Sequence, residues 1–412
     1  MSITPDVTDA KVGDTVVFTI VTKNYGPGPA PYMWVNTNVT NSNPVGYANC
    51  GGINQPAPPL NAYGADGSAC EVGWNVPPGA TMIDSVVTQI QPTSAGSTGD
   101  TACPIAPVPP LLNNVTVGCK TATVAIDGAT CPVPGASQTI GGHTYALEGE
   151  DTFTKNAPLG SFAQSPAGIA DANSLPVVYT GDHGMGWTSY PDTWPSTYTK
   201  PPYVTPAHEG YQPSTVVSVN DGVLDFYPHR DYTTDPAGPG YPVGASLSPL
   251  PGGSRYQTYG AWSLCELVPS TFYPGFSPLT GFRQAPLLWP YNDSDWQSAE
   301  SDFPEGDLTA TPAVDAANQL SAFAHYGGAG AQDIFDFAAQ EPGFNPNAWH
   351  EYTQTWGPGF RCYYVDGAQV GCSTHDVWPN EERWQLQVEP AISPQGVGYG
   401  HVYVKWVWIG SY

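Results

Sequence analysis

Glu300-Ser301-Asp302-Phe303-Pro304-Glu305 places three carboxylates on what reads as a strand carrying one residue too many. Side chains alternate faces along a regular strand, so Glu300 and Asp302 point one way and Glu305 would point the other. A bulge around Phe303-Pro304 restores the later positions to the first face. Pro304 has no N–H to give to a sheet ladder and is tolerated in a strand chiefly at a bulge or an edge. All three carboxylates then look into one cleft. Ser301 faces away from it, and its hydroxyl needs a partner beneath the sheet.

Two Glu side chains so placed can bring their carboxyl groups to roughly 5 Å, the gap of a pair in which one attacks a sugar anomeric carbon directly. A solvated acidic strand end is the plain alternative in a chain with 36 Asp and Glu among 412 residues. The neighbouring segments decide between the two. Upstream stand Gly149-Glu150-Asp151-Thr152-Phe153, Tyr259-Gly260-Ala261-Trp262-Ser263 and Ala285-Pro286-Leu287-Leu288-Trp289-Pro290. Downstream come Phe323-Ala324-His325-Tyr326-Gly327-Gly328, Trp349-His350-Glu351-Tyr352 and Tyr363-Tyr364-Val365-Asp366-Gly367. Residues 384–389 and 402–407 follow as two further strands.

In content and order these blocks resemble the family 16 glycoside hydrolases, the laminarinase, lichenase, agarase and carrageenase group, over residues 144–412. The resemblance implies a concanavalin-like jelly roll whose concave face binds a β-linked polysaccharide. It assigns Glu300 as nucleophile, Glu305 as acid/base and Asp302 as the group between them that tunes both. It also puts His325, Gln387 and Glu389 beside the carboxylates, where they would touch sugar hydroxyls. Trp296, just before the acidic strand, can offer a ring face to a pyranose, with Trp187, Trp194 and Trp356 as further aromatic candidates and core packing as the alternative for each. The chain departs from the family pattern at Ala299 and Ser301, normally Gly and an aliphatic residue, and at Thr355, where Glu is common. Lys405 replaces an Asp that many members use for calcium, so neither a metal nor a cofactor is expected.

Composition agrees with an all-β protein. Forty-six Gly and 45 Pro against 11 Lys and Arg suit turn-rich sheets, and residues 313–322 are the one stretch with helical character. A net charge of −25 excludes nucleic acid as a partner and disfavours anionic polysaccharides, leaving a neutral glucan or galactan of a cell surface or wall. His208-Glu209 lacks a second His at helical spacing, and residues 327–330 lack the Lys of a phosphate loop.

Residues 1–127 form a separate unit. Lys11-Val12-Gly13-Asp14-Thr15-Val16-Val17-Phe18-Thr19-Ile20, Asn24-Tyr25-Gly26-Pro27-Gly28 and Val76-Pro77-Pro78-Gly79-Ala80 resemble an immunoglobulin-like repeat of bacterial surface proteins. A spacer or docking β-sandwich is expected there, with residues 128–143, rich in Gly, Pro and Ser, as a linker.

The eight cysteines show no zinc spacing and read as disulfides. Cys362 and Cys372 flank the turn at Asp366-Gly367, where a three-residue hairpin loop would set them opposite each other. Cys50 with Cys70 and Cys103 with Cys119 are local pairs, leaving Cys131 and Cys265 by elimination. Disulfides imply an extracellular setting. Yet the first twenty residues lack a basic start followed by an apolar run, and no segment is long enough to span a bilayer. Two settings fit: a secreted enzyme that has lost its leader, or a virion component, such as a phage tail or fibre, assembled through the N-terminal unit and binding host glycan with the same cleft.

Overall fold

A computed structural model describes residues 2–11, 15–24, 30–40, 43–51, 70–90, 97–108, 113–116, 120–127, 131–203, 207–208, 210–220, 222–231, 240–268, 281–308, 320–328, 330–337, 349–391 and 400–412. The chain divides into two compact units, Met1–Ala129 and Thr130–Tyr412. Both are built of strands.

In the first unit, strands Ser2–Pro5, Thr15–Lys23, Thr81–Gln89 and Asn43–Gly51 form one sheet, and Asp9–Lys11, Lys120–Asp127, Ser97–Val108, Ala30–Thr40 and Cys70–Val76 form the path of a second. Val16, Phe18 and Ile20 are fully buried, so one face of Thr15–Lys23 carries the apolar alternation read from the sequence. Cys119 lies outside the described residues; Cys50, Cys70 and Cys103 lie on described strands, but their side chains are not described.

The second unit is a sandwich of two antiparallel sheets, the jelly-roll class expected. Its first sheet runs Ser137–Ile140, His143–Asp151, Val402–Ser411, Gly260–Leu267, His350–Gly357, Phe360–Val365, Ala368–Ser373. The second runs Tyr179–Thr180, Gly186–Ser189, Ala245–Leu250, Glu382–Pro390, Phe282–Gln284, Ser301–Asp307, Ser321–His325, Gln332–Phe335. One apolar core lies between them, drawing Trp262, Leu264, Val404 and Val407 from the first sheet and Leu247, Trp384, Leu386 and Phe303 from the second. Strand Glu382–Pro390 shows why the sequence folds this way: Trp384, Leu386 and Val388 enter the core, and Arg383, Gln385, Gln387 and Glu389 line a cleft on the outer face.

Strand Val402–Ser411 has two apolar faces. Val402, Val404, Val407 and Ile409 face the core, their parity reset by a register shift opposite Cys265/Glu266. Trp406 and Trp408 have zero exposure although they are not in that core. The segment expected as a linker covers them instead. The Trp406 indole N–H donates to Cys131 O at 3.1 Å and that of Trp408 to Gly135 O at 2.9 Å. Cys131 is disulfide-bonded to Cys265, and Ser137–Ile140 pairs with His143–Asp151. Residues 131–143 therefore belong to the second unit, because two aromatic side chains need that cover; their Gly, Pro and Ser content serves turns.

Cys362 and Cys372 are bridged as directly opposed residues. The loop between their strands has two residues, Asp366 and Gly367, both at positive φ, as a tight hairpin turn of the primed type requires. The expected third loop residue appears as a register shift at Tyr363/Tyr364, which brings the two cysteines level. Of residues 313–322, read from the sequence as helical, Ser321 and Ala322 lie in strand Ser321–His325, residue 320 is described but in no element, and 313–319 lie outside the described residues. In that strand Ala322 and Ala324, two residues apart, both enter the core, as strand and not helix spacing requires.

Candidate active site

Strand Ser301–Asp307 carries the acidic run, and its pairing with Ser321–His325 settles which way each side chain points. Ser301 opposes Ala324 and Asp302 opposes Phe323, but Glu305 opposes Ser321. Three residues on one strand thus match two on the other across Phe303-Pro304, the bulge read from the sequence. Opposed residues of an antiparallel pair share a face, and Ser321 and Phe323 are two apart, so Asp302 and Glu305 look the same way. Glu300 joins them: its carbonyl accepts from His325 N at 3.0 Å, in step with Phe323 and Ser321.

The opposite face is core. Phe303 packs against Phe337, Tyr352 and Tyr363. Ser301 finds the partners its burial demands, standing 2.6 Å from the Tyr363 hydroxyl and accepting from Gln354 Nε2 at 2.6 Å. Tyr363 in turn is 3.0 Å from Phe323 O. The polar residue in an aliphatic position is therefore satisfied, and it ties the acidic strand to the sheet behind it.

Glu300, Asp302 and Glu389 line a cleft of about 600 Å³ with Trp194, Trp289 and Trp296. Burial pushes Glu300 up to about 8, aided by the charges of Glu305 and Glu389 and opposed by a hydrogen bond from Asp302. Asp302 is driven well above the usual carboxylate range by burial and by Glu300 and Glu305. An Asp that keeps its proton donates to Glu300 and stabilises the Glu300 carboxylate. Glu305 is also raised by burial, but Arg283 opposes the shift, its Nη2 lying 3.0 Å from Glu305 Oε1. The same guanidinium donates to the Tyr198 hydroxyl at 2.6 Å.

His325 Nε2 lies 3.9 Å from Glu300 Oε2 and 3.8 Å from Asp302 Oδ2, too far for hydrogen bonds. Burial lowers its pKa to about 4, so the ring is neutral at pH 7. Glu300, Asp302 and His325 each present a ligand atom within 4.8 Å of the others, so among the described residues these three are the side chains that could hold a metal ion.

The other sequence candidates divide. Trp296 is 37% exposed on the cleft wall, and Trp194 and Gln387 line the same space. Glu389 lies there too, its Oε2 accepting from Thr197 N and the Tyr211 hydroxyl, each at 3.2 Å. Trp187 and Trp356 do not reach the cleft. Both are core residues with zero exposure. The Trp187 indole N–H is satisfied by Asp151 Oδ2 at 2.8 Å and that of Trp356 by Trp378 O at 2.9 Å. Internal acceptors let an indole bury completely, which is why these two pack inside.

Sequence reading missed Arg283, Arg383, Gln385 and Trp289 as site residues. Gln385 was reachable, since it alternates with Gln387 and Glu389; Trp289 stood in a quoted motif. Nothing in the sequence joins Arg283 to Glu305.

No family model and no curated protein matches the chain. Among solved structures it is similar to an endo-β-1,3-glucanase from Pyrococcus furiosus, at 14% identity and a TM-score of 0.46, over 68% of this chain and 98% of that one. It is also similar to the laminarinase catalytic domain from Thermotoga maritima, at 13% identity and a TM-score of 0.42, over 65% of this chain and 98% of the other. A β-1,3-1,4-glucanase (lichenase) derived from a mouse hindgut metagenome shows 16% identity and a TM-score of 0.33, over 49% of this chain and 85% of the other. At these values no residue role passes from those proteins to this chain.

Proposed function

We propose that this chain is a retaining glycoside hydrolase cutting a neutral β-linked polysaccharide, a β-glucan or galactan, within the polymer. The observation that carries the reading is the bulge, which turns Glu305 to the face of Glu300 and Asp302 beside a cleft walled by Trp194, Trp289 and Trp296. Ring faces for sugars and two carboxyls on one side of a strand are what such a reaction needs. Glu300 attacks the anomeric carbon, the bond to the leaving oxygen breaks, and that oxygen takes the proton of Glu305. Water then gives a proton to Glu305, its oxygen attacks the same carbon, and Glu300 leaves. Asp302, itself favoured in its protonated form, offsets part of the burial that raises Glu300 and so favours the anion that attacks. Disulfides at Cys131–Cys265 and Cys362–Cys372 favour an extracellular setting. The first unit, by its sequence, is a spacer or docking module.

One observation favours a second reading, a glycan-binding protein such as a virion attachment component that does not cut. Arg283 favours the charged form of Glu305, the opposite of what a proton donor requires. A screen of β-glucans and β-galactans with wild type and Glu300→Gln separates the readings. A hydrolase loses turnover by about three orders of magnitude or more in the variant and keeps its binding. A wild type that binds a polysaccharide but releases no reducing ends between about pH 4 and 8 supports the second reading.

A further inference from the structure

The segment 289–296 has two working sides. Trp289, Asp293 and Trp296 face the cleft, whereas Tyr291, Asn292 and Asp295 face a separate hollow of about 310 Å³, completed by Trp378, Asn380 and Glu381. The hollow is open, with Tyr291 49% exposed. Tyr291 is nevertheless held in place. Its ring packs on Tyr256 at 5.0 Å, and its backbone N–H donates to Glu381 O at 3.2 Å. Trp378 is anchored from behind, its carbonyl accepting from Trp356, and its own indole N–H is shielded without a hydrogen-bond partner among the described residues.

We propose that this hollow is a second glycan-binding site, taking a further stretch of the same neutral polymer that enters the cleft. The inference rests on the glycan-binding reading of the cleft. Two aromatic side chains give apolar ring faces, and the amides of Asn292 and Asn380 with the carboxylates of Asp295 and Glu381 give the donors and acceptors that paired hydroxyls require. Among the described residues the lining has two acidic side chains and no basic one, which disfavours uronate- or sulfate-bearing chains. Asn292 and Asp293 are consecutive residues facing opposite ways, so a polymer leaving the cleft at this end has only one ridge of backbone to cross. Joining two weak sites through one polymer raises affinity for long chains and leaves that for short ones unchanged.

The test is native electrophoresis of the full chain through gels containing laminarin, barley mixed-linkage glucan or agarose. Wild type, Tyr291→Ala, Asn380→Ala and the cleft variant Trp296→Ala are compared, with hydrolysis of a short β-glucan oligosaccharide by wild type and Tyr291→Ala measured separately. We expect Tyr291→Ala and Asn380→Ala to lose about three- to tenfold in affinity for the polymer that retards wild type, with short-substrate turnover unchanged. Retardation equal to wild type in both variants overturns the second site, as does a wild type that no gel retards. Tyr291-dependent retardation without any hydrolysis leaves the second site standing and removes the hydrolase reading. Should Tyr291→Ala unfold, Asn380→Ala decides alone.

Discussion

Arg361 reaches from the first sheet across the core to the residue before Glu300: its Nη1 donates to Ala299 O at 2.6 Å, while Nη2 pairs with the buried carboxylate of Glu382. Its guanidinium also lies 4.9 Å from the Trp356 ring centroid. One buried cation thus fixes the end of the short helix Trp296–Ala299, and with it the starting point of the acidic strand.

Replacing Arg361 with Met leaves Glu382 buried without its partner. Breaking such a pair costs about 3–5 kcal/mol, whereas replacing both partners with apolar residues costs far less. Denaturant unfolding should therefore show Arg361→Met strongly destabilised and Arg361→Met/Glu382→Met largely restored. Equal loss in both would mean that the hold on Ala299, and not the charge pair, carries the stability.

Arg283 governs a pH profile. Burial raises Glu305, and the adjacent guanidinium lowers it. The proton donor form is lost above its pKa, so Arg283→Met should move the alkaline limb of kcat/KM upward by about one pH unit. An unmoved limb would show that Arg283 does not tune Glu305.

Ser301→Ala removes a hydroxyl that meets Tyr363 and Gln354 inside the sandwich. Orphaning buried partners costs about 1–3 kcal/mol, so thermal unfolding should drop by several degrees. Ser301→Ile, the aliphatic alternative, should do worse, because it adds volume to a filled core as well.

Glu266 lies in the core with its carboxyl accepting from Gln284 Nε2 at 2.7 Å, and burial raises it from 4.5 to about 8. A raised carboxyl is protonated when folded, so its contribution is complete below about pH 4.5 and is lost as pH rises toward 8. Glu266→Gln should gain on the order of 3 kcal/mol relative to wild type at pH 9 and little at pH 4, read by denaturant unfolding at the two values. A gain independent of pH would assign the effect to packing.

Much of the site was legible because it depends on strand parity, which is local. The bulge at Phe303-Pro304, the inward Ser301 and the alternation of Gln387 with Glu389 all follow from counting by two. The fates of Trp187 and Trp356 do not. A tryptophan on a strand buries wherever its indole finds an acceptor, and Asp151 and Trp378 O lie 36 and 22 residues away in sequence. The Arg283–Glu305 contact also depends on pairing between distant strands. Residues 131–143 were misread for a compositional reason: Gly, Pro and Ser mark flexible tethers and tight turns alike, and only the two covered tryptophans distinguish them.

The Cys131–Cys265 bond also has a mechanical meaning. A pull arriving along the chain at residue 131 passes covalently into Gly260–Leu267, which sits between Val402–Ser411 and His350–Gly357 in the middle of the first sheet. The load is spread over two hydrogen-bonded neighbours at once and bypasses the edge strand Ser137–Ile140, which alone would peel one bond at a time. Forced unfolding follows the rate of escape from the native state. Single-molecule extension from residue 129 should therefore need clearly more force with the bond intact than after reduction, and equal forces would remove the tension-bearing role.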